Sequence, residues 1–480
     1  MIRFLHQGRR VELPAPSPDA TVLDYLRDDA RCTGTKEGCA SGDCGACTVV
    51  TARVDGGELC FEPMNSCIAP LGSLQGAQLI TVEELGRPGE LHPVQQAMVD
   101  AHGSQCGFCT PGFVMSLFAL FHSDAAADRH LILEALGGNL CRCTGYRPII
   151  DAALAVLDGP RDDAYSARRN EIIAELESLQ GSSTHSELGE QAYHLPRTVD
   201  ELTALLGSVP DLRLVAGGTD LMLEVTQGLG TLPAVADLRQ IPQLQELRVD
   251  GEGFSIGAAV THRRAQPALL EDYPELAELI ERFGALQIRS RGTVAGNVAN
   301  ASPIGDWPPV LLALDGRVAL ASAEGERTLP LSEFFLDYRK TAQRDGEFIR
   351  SLQLPRRDGD LFLRAYKISK RFEDDISSVC LVAALGLDGH RITRARIACG
   401  GMAAIPQRAA ACEAALQDMD FANGDITPAM EALKHDFSPI TDARASADYR
   451  ITVASNLLRR LQLEFNGSIA TRVFEGVAHG

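Results

Sequence analysis

"GCASGDCGAC" spans residues 38–47 and contains three cysteines, Cys39, Cys44 and Cys47, in a C-x4-C-x2-C pattern. This spacing is typical of plant-type [2Fe–2S] ferredoxins. The glycines between the cysteines let the backbone turn tightly, so that its N–H groups can point at sulfur atoms. A zinc site, the main alternative, usually pairs two short knuckles instead. The stretch therefore predicts an iron–sulfur cluster held in a tight loop.

Three further cysteines compete to be the fourth ligand of this cluster. Cys67 lies in "MNSCIAP", Cys60 lies in "ELCFEP", and Cys32 precedes the loop. The residues around Cys60 alternate as in a β-strand, which would point its side chain into a small core. We favour Cys67 for this reason, while the spacing alone leaves the choice open.

A second group of cysteines lies further along the chain. "QCGFCTPG" contains Cys106 and Cys109 in a C-x2-C pattern. "CRCTG" contains Cys141 and Cys143 in a C-x-C pattern. These spacings alone fit a zinc site and an iron–sulfur cluster equally well. Apolar residues at helical spacing flank both pairs, which predicts the first motif at the start of one helix and the second between two others. Because two cysteine quartets in one chain suit electron transfer better than two zinc sites, we favour a second cluster.

Composition limits the class of protein. The chain has 480 residues, a formal net charge of −19 and an isoelectric point of about 5.0. The length predicts three or more domains, and the acidic charge argues against nucleic-acid binding, which needs clustered basic residues. The N-terminus lacks the apolar region of a secretory signal, and no apolar run approaches the ~18 residues of a membrane span. We therefore expect a cytoplasmic protein with no membrane partner.

The cysteines are unevenly distributed. Ten of the thirteen precede residue 144. In a reducing compartment, such a group suggests metal ligation or redox chemistry before disulfides. The remaining three, Cys380, Cys399 and Cys412, lie among apolar or small residues, and we expect them to be small buried hydrophobic side chains.

Two glycine-containing loops follow in the second half of the chain. In "LRLVAGGTDLMLE", residues 212–224, a predicted strand runs into Gly217 and Gly218 and then into a helix start. Such loops can hold phosphate groups through backbone N–H donors, although adjacent glycines are more often a plain turn. "IRSRGTVAGNVANASPIGDWPP", residues 288–309, offers many polar groups but also fits an irregular surface loop. Neither loop has the G-x-G-x-x-G pattern, so we do not predict a Rossmann fold.

The motifs together resemble those of a known family. "GCASGDCGACTV", "NSCIAP", "QCGFCTPG" and "GNLCRCTGYRPI" are similar to the iron–sulfur region of the xanthine dehydrogenase family of molybdenum hydroxylases. "LVAGGTDL" and "RGTVAGNVANASPIGD" resemble the two FAD-binding loops of that family. The resemblance implies one [2Fe–2S] cluster in each quartet, with Cys67 as the fourth ligand of the first. It also implies that Gln105 contacts the pterin of a molybdenum cofactor held by a partner subunit.

The resemblance further implies the residues that contact FAD. Those expected to wrap its diphosphate are Leu214, Val215, Ala216, Gly217, Gly218, Thr219, Asp220 and Leu221. Those expected at its phosphates, ribityl chain or ring are Thr293, Gly296, Asn297, Asp306, Ile349 and Lys367. Phe283 would stack on the adenine, whereas its own neighbours indicate a core aromatic.

Two more stretches bear on the electron acceptor. "FFLDYRKT" and "YKISKRFEDDISSV" resemble family segments that place Tyr338 and Asp374 beside the flavin, where NAD would bind. Taken alone, "RFEDD" indicates a solvated charge run. Phe372 stands where the family commonly carries a second arginine, which alters the electrostatics of this loop.

Patterning and resemblance together predict an α+β multidomain fold. The predicted segments are a β-grasp [2Fe–2S] ferredoxin domain (1–90), a four-helix [2Fe–2S] domain (91–158), a linker (159–192), a vanillyl-alcohol-oxidase-type FAD domain (193–358), a C-terminal α+β domain (359–470) and a tail (471–480). In the C-terminal domain we expect antiparallel strands and then helices near 407–418 and 443–465.

The resemblance implies an oxidoreductase subunit. No molybdenum domain is recognisable in the sequence, so a separate large subunit would carry the molybdenum cofactor, in an (αβ)2 heterotetramer. Electrons from hypoxanthine or xanthine oxidation to urate would pass through the two clusters to FAD and then to NAD. One alternative is the equivalent subunit of an enzyme for aldehydes, nicotinate or aromatic thioesters. The other is a zinc-binding scaffold without redox activity.

Overall fold

The computed structural model describes most of the chain. The described residues are 1–14, 16–123, 126–179, 184–188 and 191–467. The predicted tail, 471–480, lies outside them. They form two compact units, each described by itself. The first unit contains Met1–Leu244, Thr261–Arg264 and Gly284–Thr293, and the second contains Gln245–Val260, Ala265–Phe283 and Val294–Gly480.

The N-terminal part of the first unit is a five-stranded sheet with two short helices. The strands are β1 (Ile2–His6), β2 (Arg9–Leu13), β3 (Thr48–Asp55), β4 (Glu58–Asn65) and β5 (Gln78–Ile80). The helices are α1 (Val22–Asp24), which continues into a π turn, and α2 (Val82–Leu85). The strand order is β2-β1-β5-β3-β4, and only the β1–β5 pair is parallel. This mixed sheet confirms the predicted β-grasp ferredoxin domain.

Four helices follow. They are α3 (Pro93–Asp100), α4 (Thr110–Phe121), α5 (Arg129–Leu136) and α6 (Arg147–Leu157). Helix α4 is apolar on all sides, and every residue from Gly112 to Phe121 is buried, because α4 contacts the other helices and also β3 and β4. Pro93, Pro111 and Pro148 lie in the first turns of three helices, where a missing backbone N–H costs nothing. The four-helix domain is therefore confirmed.

The range predicted as a linker contains regular structure. Helices α7 (Ala164–Ala167) and α8 (Arg169–Ser178) follow α6, and strand β6 (Thr184–Leu188) comes next. Asp163 caps α7 by accepting a hydrogen bond from the backbone N–H of Ser166. The boundaries of the linker stay a prediction.

The first unit also contains a four-stranded sheet. It consists of β6 with β7 (Gln191–Leu195), β8 (Leu212–Val215) and β9 (Ala234–Asp237). The order is β6-β7-β9-β8, and β7, β9 and β8 are parallel. Helix α9 (Val199–Ser208) connects β7 to β8, and α10 (Leu223–Thr226) follows the loop after β8. The carboxyl ends of parallel strands are where nucleotide phosphates commonly bind.

The chain then continues into an antiparallel sheet of the second unit. Its strands are β10 (Leu247–Val249), β11 (Phe254–Gly257), β12 (Arg317–Ser322) and β13 (Gly325–Pro330), with β14 (Phe335–Asp337) and β15 (Lys340–Thr341) as a separate pair and β16 (Phe348–Leu354) at the centre. The helices of this stretch are α11 (His262–Asp272), α12 (Ala277–Glu281), α13 (Leu286–Arg289), α14 (Val294–Ala299) and α15 (Trp307–Ala313). The sheet order is β10-β11-β16-β12-β13.

The C-terminal domain of the second unit is an antiparallel sheet covered by helices. Its strands are β17 (Leu361–Ile368), β18 (Val379–Asp388), β19 (Arg391–Gly400) and β20 (Gln407–Arg408). Its helices are α16 (Ala410–Leu416), α17 (Thr427–Asp436) and α18 (Ala447–Phe465). The prediction of two helical stretches missed α17. Cys380, Cys399 and Cys412 are fully buried, as expected.

Single 3-10 turns connect several of these elements. They lie at Ser66–Ile68, Leu71–Leu74, Leu238–Gln240, Pro242–Leu244, Pro274–Leu276 and Leu331–Glu333. Among the described residues, no helix combines the length and the apolar character that a bilayer span requires.

Candidate functional site

The first cysteine quartet converges on one point in the ferredoxin domain. The Sγ atoms of Cys47 and Cys67 are 3.3 Å apart. The sulfur of Cys39 lies within hydrogen-bond reach of those of Cys44 and Cys67. Cys47 comes immediately before β3, and Cys67 lies in the 3-10 turn after β4, so the antiparallel pair β3–β4 brings the two together.

The two competing cysteines lie elsewhere. The Sγ of Cys60, on β4, faces the carbonyl of Glu58 at 3.9 Å. Cys32 is buried, and its sulfur accepts a hydrogen bond from Nε2 of Gln7 at 3.2 Å. Among the described residues, no hydrogen bond joins either sulfur to the quartet.

Backbone donors surround one sulfur of the quartet. Sγ of Cys39 accepts from the N–H groups of Ser41, Asp43 and Cys44 at 3.3–3.4 Å. The pKa of Cys39 lies below its usual range because the neighbouring thiols of Cys44 and Cys67, and then the Ser41 donor, stabilise its thiolate. Four converging thiol groups with N–H donors at sulfur are the donor set that a [2Fe–2S] cluster requires. The residues therefore fit the predicted cluster.

The second quartet lies in the helical domain. Cys109 is the residue before α4, and Cys141 and Cys143 lie between α5 and α6, as the sequence predicts. The thiol of Cys109 is hydrogen-bonded to Cys141, and that of Cys143 to Cys106. Burial acts to raise the pKa of Cys141, but hydrogen bonds from Thr144, Cys143 and Cys109 together outweigh this effect and lower the pKa to about 7. This donor set also fits a [2Fe–2S] cluster, and it gives no preference over zinc by itself.

The loops of the two quartets are in direct contact. The backbone N–H of Leu140, next to Cys141, donates to the carbonyl of Cys44 at 3.0 Å. A Cβ atom at Gly45, whose φ is +68°, would lie 2.2 Å from the carbonyl oxygen of Gly138. Only glycine permits this approach. One hydrogen bond therefore connects backbone segments that carry a ligand candidate of each cluster.

Several side chains of the second quartet and of the residues near it in the sequence are exposed. Cys106 and Cys143 are exposed, and so is the predicted pterin-contact residue Gln105. Large apolar side chains nearby in the sequence are also exposed, namely Val99, Phe108, Leu140 and Tyr146. Grouped exposed apolar side chains of this kind often mark a surface that binds another protein.

The predicted diphosphate loop follows β8 in the first unit. A Cβ atom at Gly217 would lie 2.3 Å from the carbonyl oxygen of Arg291, and one at Gly218 would lie 2.8 Å from Cδ of Pro70. Gly218 also has a φ of +80°. The two glycines thus allow the loop to approach both the segment before Thr293 and the chain just after Cys67. A glycine-lined loop after a parallel strand fits a diphosphate group.

The other predicted FAD contacts lie mainly in the second unit. Lys367 of β17 and Asp306 form a buried ion pair, with Nζ and Oδ2 2.6 Å apart, and Ser377 donates to the same carboxylate at 2.5 Å. Asp306 and Phe283 line a small cavity whose other lining residues are Leu276, Leu279, Ile280, Trp307 and Val310. Oδ1 of Asn297 accepts from the backbone N–H of Trp307, and Ile349 is buried on β16. The cavity has a volume of only about 10 Å³, so the assignment of these residues to FAD rests on the family resemblance.

The predicted NAD-facing residues lie on exposed loops of the second unit. Tyr338 lies between β14 and β15 and is 57% exposed. Asp374 has a φ of +56°, and the adjacent Asp375 accepts from the backbone N–H of Arg371 at 2.9 Å. Cζ of the Arg282 guanidinium lies over the ring of Phe372, 4.3 Å from the ring centroid. The departure from the family at Phe372 therefore provides a cation–π contact that holds this loop.

The sequence analysis did not predict a third group of side chains whose chemistry would allow metal binding. Nε2 of His92 and Nε2 of His122 lie 3.0 and 2.8 Å from the same oxygen of Asp163. Nδ1 of His92 accepts from the backbone N–H of Val94, so its Nε2 carries the proton and donates to Asp163. A metal-bound histidine would instead need to donate from Nδ1. The group is therefore a hydrogen-bonded cluster, and not a metal site.

Sequence reasoning also missed Gln227. This residue follows α10, and its Nε2 donates to the carbonyls of Cys39 and Ala40 at 3.2 and 2.9 Å. "LEVTQG" reads as an ordinary helix end, so nothing in the sequence pattern indicates this contact.

Four family models match successive parts of the chain. They are a 2Fe-2S iron-sulfur cluster binding domain (4–71), a [2Fe-2S] binding domain (81–154), an FAD binding domain in molybdopterin dehydrogenase (186–357) and a CO dehydrogenase flavoprotein C-terminal domain (364–465). The two cluster quartets lie within the first two ranges, and the flavin loops lie within the third.

Curated relatives carry related names. The chain is 32% identical to a xanthine dehydrogenase of Emericella nidulans, over 91% of this chain and 36% of that protein. It is 33% identical to a xanthine dehydrogenase of Drosophila pseudoobscura pseudoobscura, over 78% of this chain and 32% of that protein. A xanthine dehydrogenase/oxidase of Rattus norvegicus is 32% identical, over 78% of this chain and 32% of that protein. The chain thus spans about a third of the length of these relatives.

Solved structures give a further likeness. A carbon monoxide dehydrogenase chain from Hydrogenophaga pseudoflava matches with a TM-score of 0.53 and 28% identity, over 56% of this chain and 94% of that chain. A quinoline 2-oxidoreductase chain from Pseudomonas putida 86 matches with a TM-score of 0.53 and 25% identity, over 57% of this chain and 96% of that chain. The matched cluster and flavin domains and the named relatives all indicate the same family. The chain therefore belongs to the molybdenum hydroxylase family as its iron–sulfur and FAD portion.

Proposed function

We propose that this chain is the electron-transfer subunit of an NAD-linked xanthine dehydrogenase. Electrons leave a molybdenum-cofactor partner, pass the cluster of the helical domain and the plant-type cluster, and reach FAD and then NAD. The observation that carries the proposal is the hydrogen bond between Leu140 N–H and the Cys44 carbonyl. It supports a short route between two cluster sites whose nearest ligand candidates in the sequence, Cys67 and Cys106, are 39 residues apart.

We assign the cluster ligands by quartet. The plant-type cluster is bound by Cys39, Cys44, Cys47 and Cys67, and the second cluster by Cys106, Cys109, Cys141 and Cys143. The convergence of sulfur atoms supports the assignment. Each cluster accepts and returns a single electron when bound. The backbone donors to the sulfurs set how readily each site is reduced.

Paramagnetic resonance of the dithionite-reduced chain tests these ligands. The unaltered chain should contain about four irons and show two distinct signals. Cys67→Ser should remove the plant-type signal alone, and Cys106→Ser should remove the other alone. Cys60→Ser is the matched control and should keep both. A colourless protein with two zincs per chain would instead support the scaffold alternative.

FAD is held by the residues that the family resemblance implies, without a covalent bond. Gly217 and Gly218 support this by allowing the loop to approach its neighbours, and the Asp306–Lys367 pair supports it by placing fixed charges beside an apolar cavity. Bound FAD can pass electrons singly or in pairs. Neither flavin loop contains a histidine or cysteine that could attach the ring. Acid precipitation should therefore release all flavin into the supernatant.

NAD is the proposed acceptor, and Tyr338 and Asp374 shape the surface that it contacts. The exposure of Tyr338 supports an accessible aromatic side chain for a nicotinamide ring. Anaerobic NADH should bleach the flavin of the full chain, and Tyr338→Ala should slow the bleaching without changing the bound FAD. Bleaching by dithionite but not by NADH would contradict NAD as the acceptor.

The partner, the substrate and the compartment complete the proposal. The exposed apolar side chains near Gln105 support the binding of a molybdenum subunit in a cytoplasmic (αβ)2 complex. Co-purification of the native complex, with metal analysis and turnover of purines, aldehydes, nicotinate and aromatic thioesters, distinguishes the substrate alternatives. If the complex turns over another of these classes faster than purines, the proposed electron-transfer role stands, but the proposed purine substrate is wrong.

A further inference from the structure

Gln227 links the flavin loop to the plant-type cluster loop within the first unit. It is the first residue after α10, and α10 follows the diphosphate loop. Its Nε2 donates to two successive carbonyls, those of Cys39 at 3.2 Å and Ala40 at 2.9 Å. One amide group therefore fixes the direction of two adjacent peptide planes in the cluster loop.

The second of these peptides joins Ala40 to Ser41. In a trans peptide the C=O and the N–H point in opposite directions. Since the carbonyl of Ala40 is directed at Gln227, the N–H of Ser41 is directed away from it, and it donates to Sγ of Cys39 at 3.4 Å. The two hydrogen bonds lie in series across one peptide group.

The backbone conformation of Ala40 is unfavourable by itself. Ala40 has a φ of +52°, in the left-handed region that residues other than glycine rarely adopt. Such a conformation costs on the order of 1 kcal/mol or more, and it persists only where neighbouring contacts impose it. The two hydrogen bonds from Gln227 are contacts of this kind.

We propose that Gln227 is a positioning residue that raises the reduction potential of the plant-type cluster. It does so by holding the Ser41 N–H against the sulfur of Cys39, since N–H···S hydrogen bonds stabilise the more negative, reduced cluster. Polarisation of the peptide by a donor at its carbonyl strengthens the same bond. The inference rests on the proposed cluster ligands, and it makes the flavin domain a contributor to the potential of the site that supplies it with electrons.

The expected effect is modest because Gln227 is exposed and water can replace part of its hydrogen bonding. Gln227→Leu removes both N–H donors and leaves an apolar side chain that is one atom shorter. We expect the equilibrium constant for reduction of the plant-type cluster to fall two- to fivefold, which is roughly 20–40 mV at 59 mV per tenfold change. In the part of the chain that the structure describes, no hydrogen bond joins this peptide to a sulfur of the second quartet. The second cluster should therefore keep its potential.

The experiment is a redox titration of the full, FAD-loaded chain, followed by paramagnetic resonance of both clusters. The variants are Gln227→Leu and Gln227→Glu, and the control is Gln96→Leu, which removes another exposed amide hydrogen bond, from Gln96 to Asp100 on α3. Spin counts should stay at the parental value in all variants. The plant-type potential should fall in both Gln227 variants and stay unchanged in the control.

The outcomes separate the inference from the proposed function. An unchanged plant-type potential in Gln227→Leu overturns the inference, and so does a fall in Gln227→Glu alone, since that would be a direct effect of charge. Equal falls for both clusters, or a loss of plant-type spins without a shift, also overturn it. If the unaltered chain shows no plant-type signal, the proposed function itself fails.

Discussion

Replacing Asp163 with alanine should release the segment that follows α6 from the helical domain. One oxygen of Asp163 accepts hydrogen bonds from His92 and His122, and these three side chains are at most 7% exposed. The other oxygen caps α7 through the N–H and hydroxyl of Ser166. A single carboxylate thus connects α3, α4 and α7.

The cost of the substitution follows from these contacts. Two buried hydrogen bonds to a charged acceptor contribute about 1.5 kcal/mol each at the low end, and loss of an N-cap adds about 1 kcal/mol. The free energy of opening of α7 and α8 should therefore fall by about 4 kcal/mol. At a tenfold change per 1.4 kcal/mol, amide protection in this segment should drop by roughly 10²–10³-fold.

Hydrogen exchange of the full chain measures this effect. Asp162→Ala is the matched control, because Asp162 is the adjacent, exposed carboxylate. Burial acts to raise the pKa of Asp163, but the hydrogen bonds from His122 and His92 outweigh it and hold this pKa well below its usual range. Its stabilising effect should therefore be complete above the ordinary aspartate value of about 3.9 and decline as the pH falls below it. A protection loss of less than threefold relative to Asp162→Ala would refute the reasoning.

Three further predictions follow from other buried groups. Burial raises the pKa of Glu84 to about 7, so its neutral form is favoured in the folded state, and stability should decline as pH rises from the ordinary carboxyl value toward 7. At pH 8, Glu84→Gln should therefore melt at a higher temperature than the unaltered chain, with a free energy of unfolding that is roughly 2–4 kcal/mol larger. At pH 4.5 the variant and the unaltered chain should melt at the same temperature. If the two also melt at the same temperature at pH 8, the prediction is wrong. Lys367→Met leaves the Asp306 carboxylate buried without its cation and should cost about 3–5 kcal/mol in thermal unfolding, with partial recovery on adding Asp306→Asn. Gly217→Ala places a Cβ atom 2.3 Å from the carbonyl oxygen of Arg291 and should cost about 1–3 kcal/mol, and an unchanged melting temperature would show that the loop can move aside.

The parts of the fold predicted from sequence are those encoded by local patterns. Strand alternation and the helical spacing around the second quartet gave the β-grasp and four-helix domains, because each burial face is set by residues close in the sequence. Helix α17 was missed because its whole sequence, "TPAMEALKHD", is half polar and buries only Ala429 and Leu433. The sequence predicts a linker after α6 for the same reason, since α8 buries only Ile172 and Leu176.

In the candidate sites, too, local sequence patterns predict some features, whereas contacts between distant residues are not predicted. Cysteine spacing indicates a metal site because several ligands fall within one loop, and it left only the fourth ligand open. The pairing of β3 with β4 supports Cys67 as this ligand, since it brings Cys67 to Cys47. The Gln227 contact and the bond from Leu140 to Cys44 involve partners 187 and 96 residues apart, and no local pattern reports a contact of that kind.

One buried hydrogen-bond network joins three segments that are far apart in the sequence, namely the two cluster segments and the segment that contains Gln287. Nε2 of Gln287 lies 3.1–3.2 Å from Thr48, Ser116 and Asn139, and all four side chains are buried. Asn139 also donates to the carbonyl of Gly45, in the plant-type loop. Among the described residues, Oε1 of Gln287 has no hydrogen-bond partner, but its Nε2 is held by the other three side chains. Displacing the segments would leave these buried groups unpaired as well, so the network favours one arrangement of its segments. The distance between the two cluster loops is therefore set partly by a glutamine of the flavin domain, and neither cysteine motif determines it alone.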